Sequence, residues 1–181
     1  SGQIERDETT GAAYVFERDL NDTWSQRAKL VADDAAHSDD FGRSVGISGD
    51  SVIVGAESDD DFGNVSGSAY IFTRNKAGVW VQTAKINPNN PAQDDRFGAA
   101  VAINGTRAVV GAHQKDVYGS DSGAAYLFTL QANGWIENTQ ITPTNGEGND
   151  RFGQSVAISE SLTMVGAAHR RGKGSSYIIN Y

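Results

Sequence analysis

Gly11-Ala-Ala-Tyr-Val-Phe16 returns as Gly67-Ser-Ala-Tyr-Ile-Phe72, again as Gly123-Ala-Ala-Tyr-Leu-Phe128, and more loosely as Gly174-Ser-Ser-Tyr-Ile-Ile179. The leading glycines stand at 11, 67, 123 and 174, in steps of 56, 56 and 51 residues. Three other elements keep the same step. Tryptophans fall at Trp24, Trp80 and Trp135. Phe-Gly pairs fall at Phe41-Gly42, Phe97-Gly98 and Phe152-Gly153, each followed by a valine three residues on. Val-Gly-Ala falls at 54–56, 110–112 and 165–167. Four elements on one period mark tandem copies of a single supersecondary unit.

Each element reads as a strand. Tyr70, Ile71 and Phe72 are β-formers in sequence, and alternate residues of a strand face opposite sides. Gly49-Asp50 and Asn104-Gly105 sit between two such runs and read as hairpin turns. No stretch sustains a helical period. The expected strands include Ala12–Glu17, Phe41–Ser48, Ser51–Ala56 and Ser68–Thr73, with their equivalents. With A for the Phe-Gly strand, B for Val-Gly-Ala, C for Ala-Tyr-x-Phe and D for the tryptophan strand, each copy supplies four antiparallel strands. That is the size of one β-propeller blade.

The residue choices suit stacking. A lone four-stranded sheet cannot bury both faces, so neighbouring sheets pack face to face. Small residues such as Gly42 and Ala56 permit close backbone approach near a common axis. Phe41 and Tyr70 are expected as wedges between blades, and the tryptophans as cover for the wider outer part. Asp39, Asp95 and Asp150, two residues before each Phe-Gly, are expected to cap backbone N–H groups in the preceding turn.

Composition narrows the function. The chain has 181 residues, 21 of them glycine, 3 proline and no cysteine, and a formal net charge of −8. Without cysteine there is no disulfide, thiolate metal site or thiol nucleophile. The acidic balance argues against nucleic acid, which needs phosphate-neutralising Lys and Arg, and against an anionic membrane surface. No apolar run approaches the roughly 20 residues of a membrane span.

The combination Asp-x-Phe-Gly-x-Ser-Val-x-Ile, Val-Gly-Ala, Gly-x-Ala-Tyr-x-Phe and Trp resembles the bacterial FG-GAP repeat, a family related to the propeller at the head of integrin α chains. The resemblance covers nearly the whole chain. It implies an all-β propeller, an extracellular or cell-surface setting, and a binding or adhesion role without catalysis. Integrin-type repeats often carry a calcium loop between strands A and B. Here those turns are only Ser48-Gly49-Asp50, Asn104-Gly105-Thr106 and Ser159-Glu160-Ser161, too short for that loop.

Repeat units fall near 11–66, 67–122 and 123–173, with a partial unit at 174–181. The strand series runs C-D, A-B-C-D, A-B-C-D, A-B-C. That is about three blades' worth, fewer than closed propellers use. The ring is therefore expected to be incomplete, continued by the remaining blades of a larger propeller, or completed by a second copy of the chain. The first alternative is favoured, because both ends carry a C strand.

Candidate chemistry is sparse. Gly42-Arg-Ser44-Val-Gly46 fits a G-x-S-x-G nucleophile elbow, but that motif needs a helix after the strand, and none follows. Glu57, Asp59 and Asp61 lie in the densest acidic loop. Oxygen-rich loops suit calcium, so these three are the expected ligands of that one cofactor. His113 and His169 both follow a Val-Gly-Ala strand and are expected at one mouth of the stack, and Arg170 and Arg171 open the basic stretch of the last B–C loop. These four are the expected contacts for a protein or glycan ligand. The alternatives are a propeller-type hydrolase or lyase, which needs convergent titratable groups, and a purely structural spacer.

Overall fold

The computed structural model describes residues 10–169 and 174–180. Among them the chain is all-β, with thirteen strands in four antiparallel sheets and no helix. Strands β1 (Ala13–Arg18) and β2 (Trp24–Leu30) form a hairpin. Strands β3 (Phe41–Ser48), β4 (Ser51–Ala56), β5 (Ser68–Arg74) and β6 (Trp80–Ile86) make the second sheet in chain order. Strands β7 (Phe97–Asn104), β8 (Arg107–Ala112), β9 (Ala124–Gln131) and β10 (Gly134–Ile141) make the third. The fourth holds β11 (Phe152–Ile158), β12 (Leu162–Ala167) and β13 (Ser175–Asn180). The series is the expected C-D, A-B-C-D, A-B-C-D, A-B-C. Of the four expected strands, the first slips by one residue, because Gly11 at φ +84 and a bridge to Phe41 hold the chain before it, and Ser68–Thr73 runs one residue further, to Arg74.

Successive sheets stack, and they approach closest along their A strands. The B and C strands alternate their two faces between neighbours. Val52, Val54, Tyr70 and Phe72 look back toward β1 and β2, joining Ala13, Val15 and Leu30. Ile53, Ala69 and Ile71 look forward onto Phe97, Val101, Tyr126 and Phe128. Val109 and Ala125 then look forward onto Phe152, Val165 and Ala167. The wedges are aromatic. Phe41, Phe97 and Phe152 each meet the tyrosine of their own sheet edge to face, at 5.4, 5.6 and 5.2 Å between ring centres. Such geometry adds about 1 kcal/mol to the burial of each pair.

The ends differ from the middle. Val101 and Ile103 on β7 are 8% and 6% exposed, whereas their counterparts Val45 and Ile47 on β3 are 60% and 63% exposed. The first sheet supplies only its outer two strands, so none of the described residues covers the inner part of that face. Beside it a groove of about 600 Å³ is lined by Tyr14, Val15, Phe16, Val45 and Ile47. At the other end Leu162, Met164 and Ile178 are exposed. Tyr177 faces inward and packs on Phe152, because the tyrosine of each repeat looks backward.

Candidate functional site at the long-loop end

Loop length separates the two ends of the stack. The A–B and C–D turns are short, such as 49–50, 105–106, 132–133 and 75–79. The D–A connections span 31–40, 87–96 and 142–151, and the B–C connections span 57–67, 113–123 and 168–174. Both long sets share one end, because the first residue of strand A pairs with the last of strand B, as Phe41 does with Ala56. Loops on a rigid scaffold are where binding groups concentrate.

Each D–A loop is built around its aspartate. Asp39, Asp95 and Asp150 are buried and accept from the backbone N–H three residues earlier, Ala36, Ala92 and Glu147, at 2.8, 2.9 and 2.9 Å. Burial raises the pKa of Asp39 and Asp95. The residues on either side adopt left-handed backbone: Ser38 and Asp40, Asp94 and Arg96, Asn149 and Arg151. That conformation costs roughly 1–2 kcal/mol for a residue with a Cβ, and the buried carboxylate holds it in place. Residues 40, 96 and 151 are thereby presented at the inner rim.

There the charges gather. Arg43, at the start of β3, sets Nε 3.2 Å from the Glu57 carboxylate, and Arg96 approaches the same oxygen at 3.5 Å from the next sheet. Arg96 also donates to Gln114. His113 occupies the repeat position of Glu57, one junction further on. Its Nδ1 is buried and makes no hydrogen bond among the described residues. Burial, reinforced by Arg96 and Arg151, pulls its pKa down to about 4, with Arg43 adding to the effect and Asp121 opposing it. His113 and His169 do reach the same end on neighbouring sheets, one half-buried and the other exposed. They are offset by one residue, since Ala168 intervenes after Val-Gly-Ala. Arg170 and Arg171 lie outside the described residues.

The acidic loop divides in two. Glu57 belongs to the arginines, while Asp59 and Asp61 turn toward Lys85 at the end of β6. Lys85 Nζ lies 2.7, 2.9 and 2.6 Å from Asp34, Asp59 and Asp61. Asp59 also accepts from Ser68 Oγ and Tyr70 Oη, both at 2.9 Å. Burial works against the lysine charge, but these carboxylates outweigh it and raise the pKa of Lys85. Sequence reasoning missed Lys85. Its only signal was a lysine five residues after the tryptophan, which Lys29 shares and Gln140 does not. One sheet later the polarity inverts. Lys115 takes the Asp59 position and reaches back to Asp95 at 2.8 Å and to the Asn90 carbonyl at 3.0 Å. Tyr126 Oη, the counterpart of Tyr70, is left buried without a partner among the described residues.

The tryptophans sit at the opposite, outer corner. Trp80 and Trp135 pack against the apolar clusters, and Trp80 lies 5.7 Å under the Arg74 guanidinium. Trp24, in the first hairpin, is exposed.

Antiparallel sheets stacked face to face, closest at their inner strands and open at both ends, define a run of propeller-type blades. Residues 24–72, 80–128 and 135–179 match the sequence profile of the FG-GAP repeat. The chain belongs to the FG-GAP repeat family. Each match begins on a D strand and ends on a C strand, so the sequence repeat straddles two sheets. No curated protein matches the chain.

Proposed function

We propose that the chain is a non-catalytic binding or adhesion segment of an extracellular or cell-surface protein, engaging a protein or glycan through its long-loop end. The observation that supports this reading is the segregation of loops. Two sets of long connections, with the arginines, the histidines and the Lys85 cluster, share one end, while short turns close the other. The charges at that end are committed mainly to each other, and the serine–histidine contact there, Ser38 Oγ to His37 Nδ1 at 2.6 Å, joins chain neighbours in an exposed turn and not in a water-excluding cleft, which speaks for recognition over catalysis. The open faces are read as seats for further blades of a larger propeller, or for a second copy. The test is a protein and glycan array probed with the chain and with a variant altered in the long loops, alongside a hydrolase and lyase screen. Hits lost in the loop variant are expected; turnover in the screen would replace this reading with the enzyme one.

A further inference from the structure

At the junction of the second and third sheets, the Glu57 carboxylate sits between Arg43 and Arg96. At the next junction the same three repeat positions hold His113, Ala99 and Arg151. The carboxylate has become an imidazole, and the long Arg43 side chain has become a methyl group. Arg151 remains, in the same left-handed conformation as Arg96, φ 53 against 54. Its guanidinium has no carboxylate partner among the described residues. Arg43 and Arg96 thus share the Glu57 carboxylate, while at the next junction the nearby Asp121 carboxylate forms no ion pair with Arg151 among the described residues. His113 adds a buried nitrogen, Nδ1, without a partner among the described residues.

We propose that the Arg151–His113 junction is a carboxylate-binding site, in which a ligand carboxylate meets the Arg151 guanidinium as the Glu57 carboxylate meets Arg43 and Arg96 one repeat earlier. This rests on the binding-module reading and names the ligand chemistry for that end. A carboxylate is the natural partner of a guanidinium, whose fork donates two hydrogen bonds to it. A carboxylate beside the imidazole also offsets the arginines that face it. Ala99 leaves the room that Arg43 occupies at the earlier junction. Such a carboxylate arrives on an acidic peptide side chain or on a uronic acid, and the two sources are separable by probe.

The experiment follows the melting temperature and the His113 ring resonances of the 181-residue chain. N-acetylglutamate amide and glucuronate are titrated in separate arms, against chloride at equal ionic strength. A saturable rise in melting temperature with either probe is expected, because a ligand that binds only the folded state stabilises it. The His113 pKa should rise in step, since the anion offsets the arginines. Arg151→Gln should abolish both responses. His113→Glu rebuilds the earlier junction within the chain; it should melt higher than the parent without ligand and respond to neither probe. If His113→Glu fails to fold, Arg151→Gln carries the test alone. No saturable response to either probe, or an equal response in Arg151→Gln, overturns the proposal. Array hits that persist in Arg151→Gln would overturn this site while leaving the binding-module reading intact.

Discussion

A methyl group added at Gly111 would lie 1.9 Å from the Gly153 carbonyl oxygen, and one at Gly55 equally close to the Gly98 oxygen. The neighbour in each case is backbone of the next sheet and cannot swing aside. Gly111→Ala should therefore cost about 3 kcal/mol, at the upper end of ordinary substitutions, read from the midpoint of chemical unfolding. Gly49→Ala meets nothing nearby and carries only the strain of its positive φ, so its cost should be smaller. These glycines were legible in the sequence because they recur with the period. His113 was visible as a residue but not as an environment, since its burial comes from a sheet that the sequence does not place beside it. Its pKa of about 4, against 6.5 when free, gives a second prediction. Between those values the unfolded chain binds more protons, so the fold loses stability as pH falls from about 6.5 toward 4. The groups facing it are Arg43, Arg96, Arg151 and Asp121. Asp39 and Asp95, raised above 3.8 by burial, act in the opposite sense just above that value. Melting curves at pH 7 and pH 5 should differ less for His113→Gln than for the parent.

Among elements, strands and loops differ in how much the sequence discloses. The β3 to β5 limits follow from Phe41, Ser48–Ser51 and Ser68 because alternation and tight turns are local properties. The first two B–C loops keep matching backbone hydrogen bonds, Gly67 N–H to the Asp59 carbonyl and Gly123 N–H to the Lys115 carbonyl, while their charges change, so no motif forecasts their chemistry. Asp59 and Lys115 share one repeat position and have opposite sign. The acidic loop looked like a cation site, and the cation found among Asp34, Asp59 and Asp61 is the Lys85 ammonium. Removing it leaves the buried Asp59 carboxylate short of positive charge. Breaking a buried pair costs about 3–5 kcal/mol; Lys85 is partly exposed, so Lys85→Gln should cost about 2 kcal/mol by that measure. Calcium must displace this ammonium to bind. Millimolar calcium is therefore expected to leave the melting temperature of the parent chain unchanged and to raise that of Lys85→Gln. A rise in the parent that vanishes in Asp59→Asn would instead place calcium at the original loop.

For the whole molecule, stacking leaves unlike faces at its two ends. One presents Tyr14, Phe16, Val45 and Ile47 around the 600 Å³ groove; the other presents Leu162, Met164 and Ile178. Exposed apolar faces and free strand edges recruit partners. The chain should associate as its concentration rises, in sedimentation or solution scattering. Val45→Glu with Ile47→Lys should weaken that association while leaving the melting temperature within a few degrees, because both side chains already face solvent. A compact monomer at high concentration would show the faces to be inert. The repeat order disclosed this openness at the sequence level, since the C-D start and A-B-C finish are countable; which side chains the open faces show depends on the alternation of each strand. The offset between sequence repeat and sheet has a consequence for inheritance. Copying any stretch of one period, wherever the copy begins, inserts one whole blade and reproduces the junction chemistry on both sides of it. Blade number can thus change in a single step, while a change at one repeat position, as between Glu57 and His113, alters the chemistry of one junction without disturbing the others.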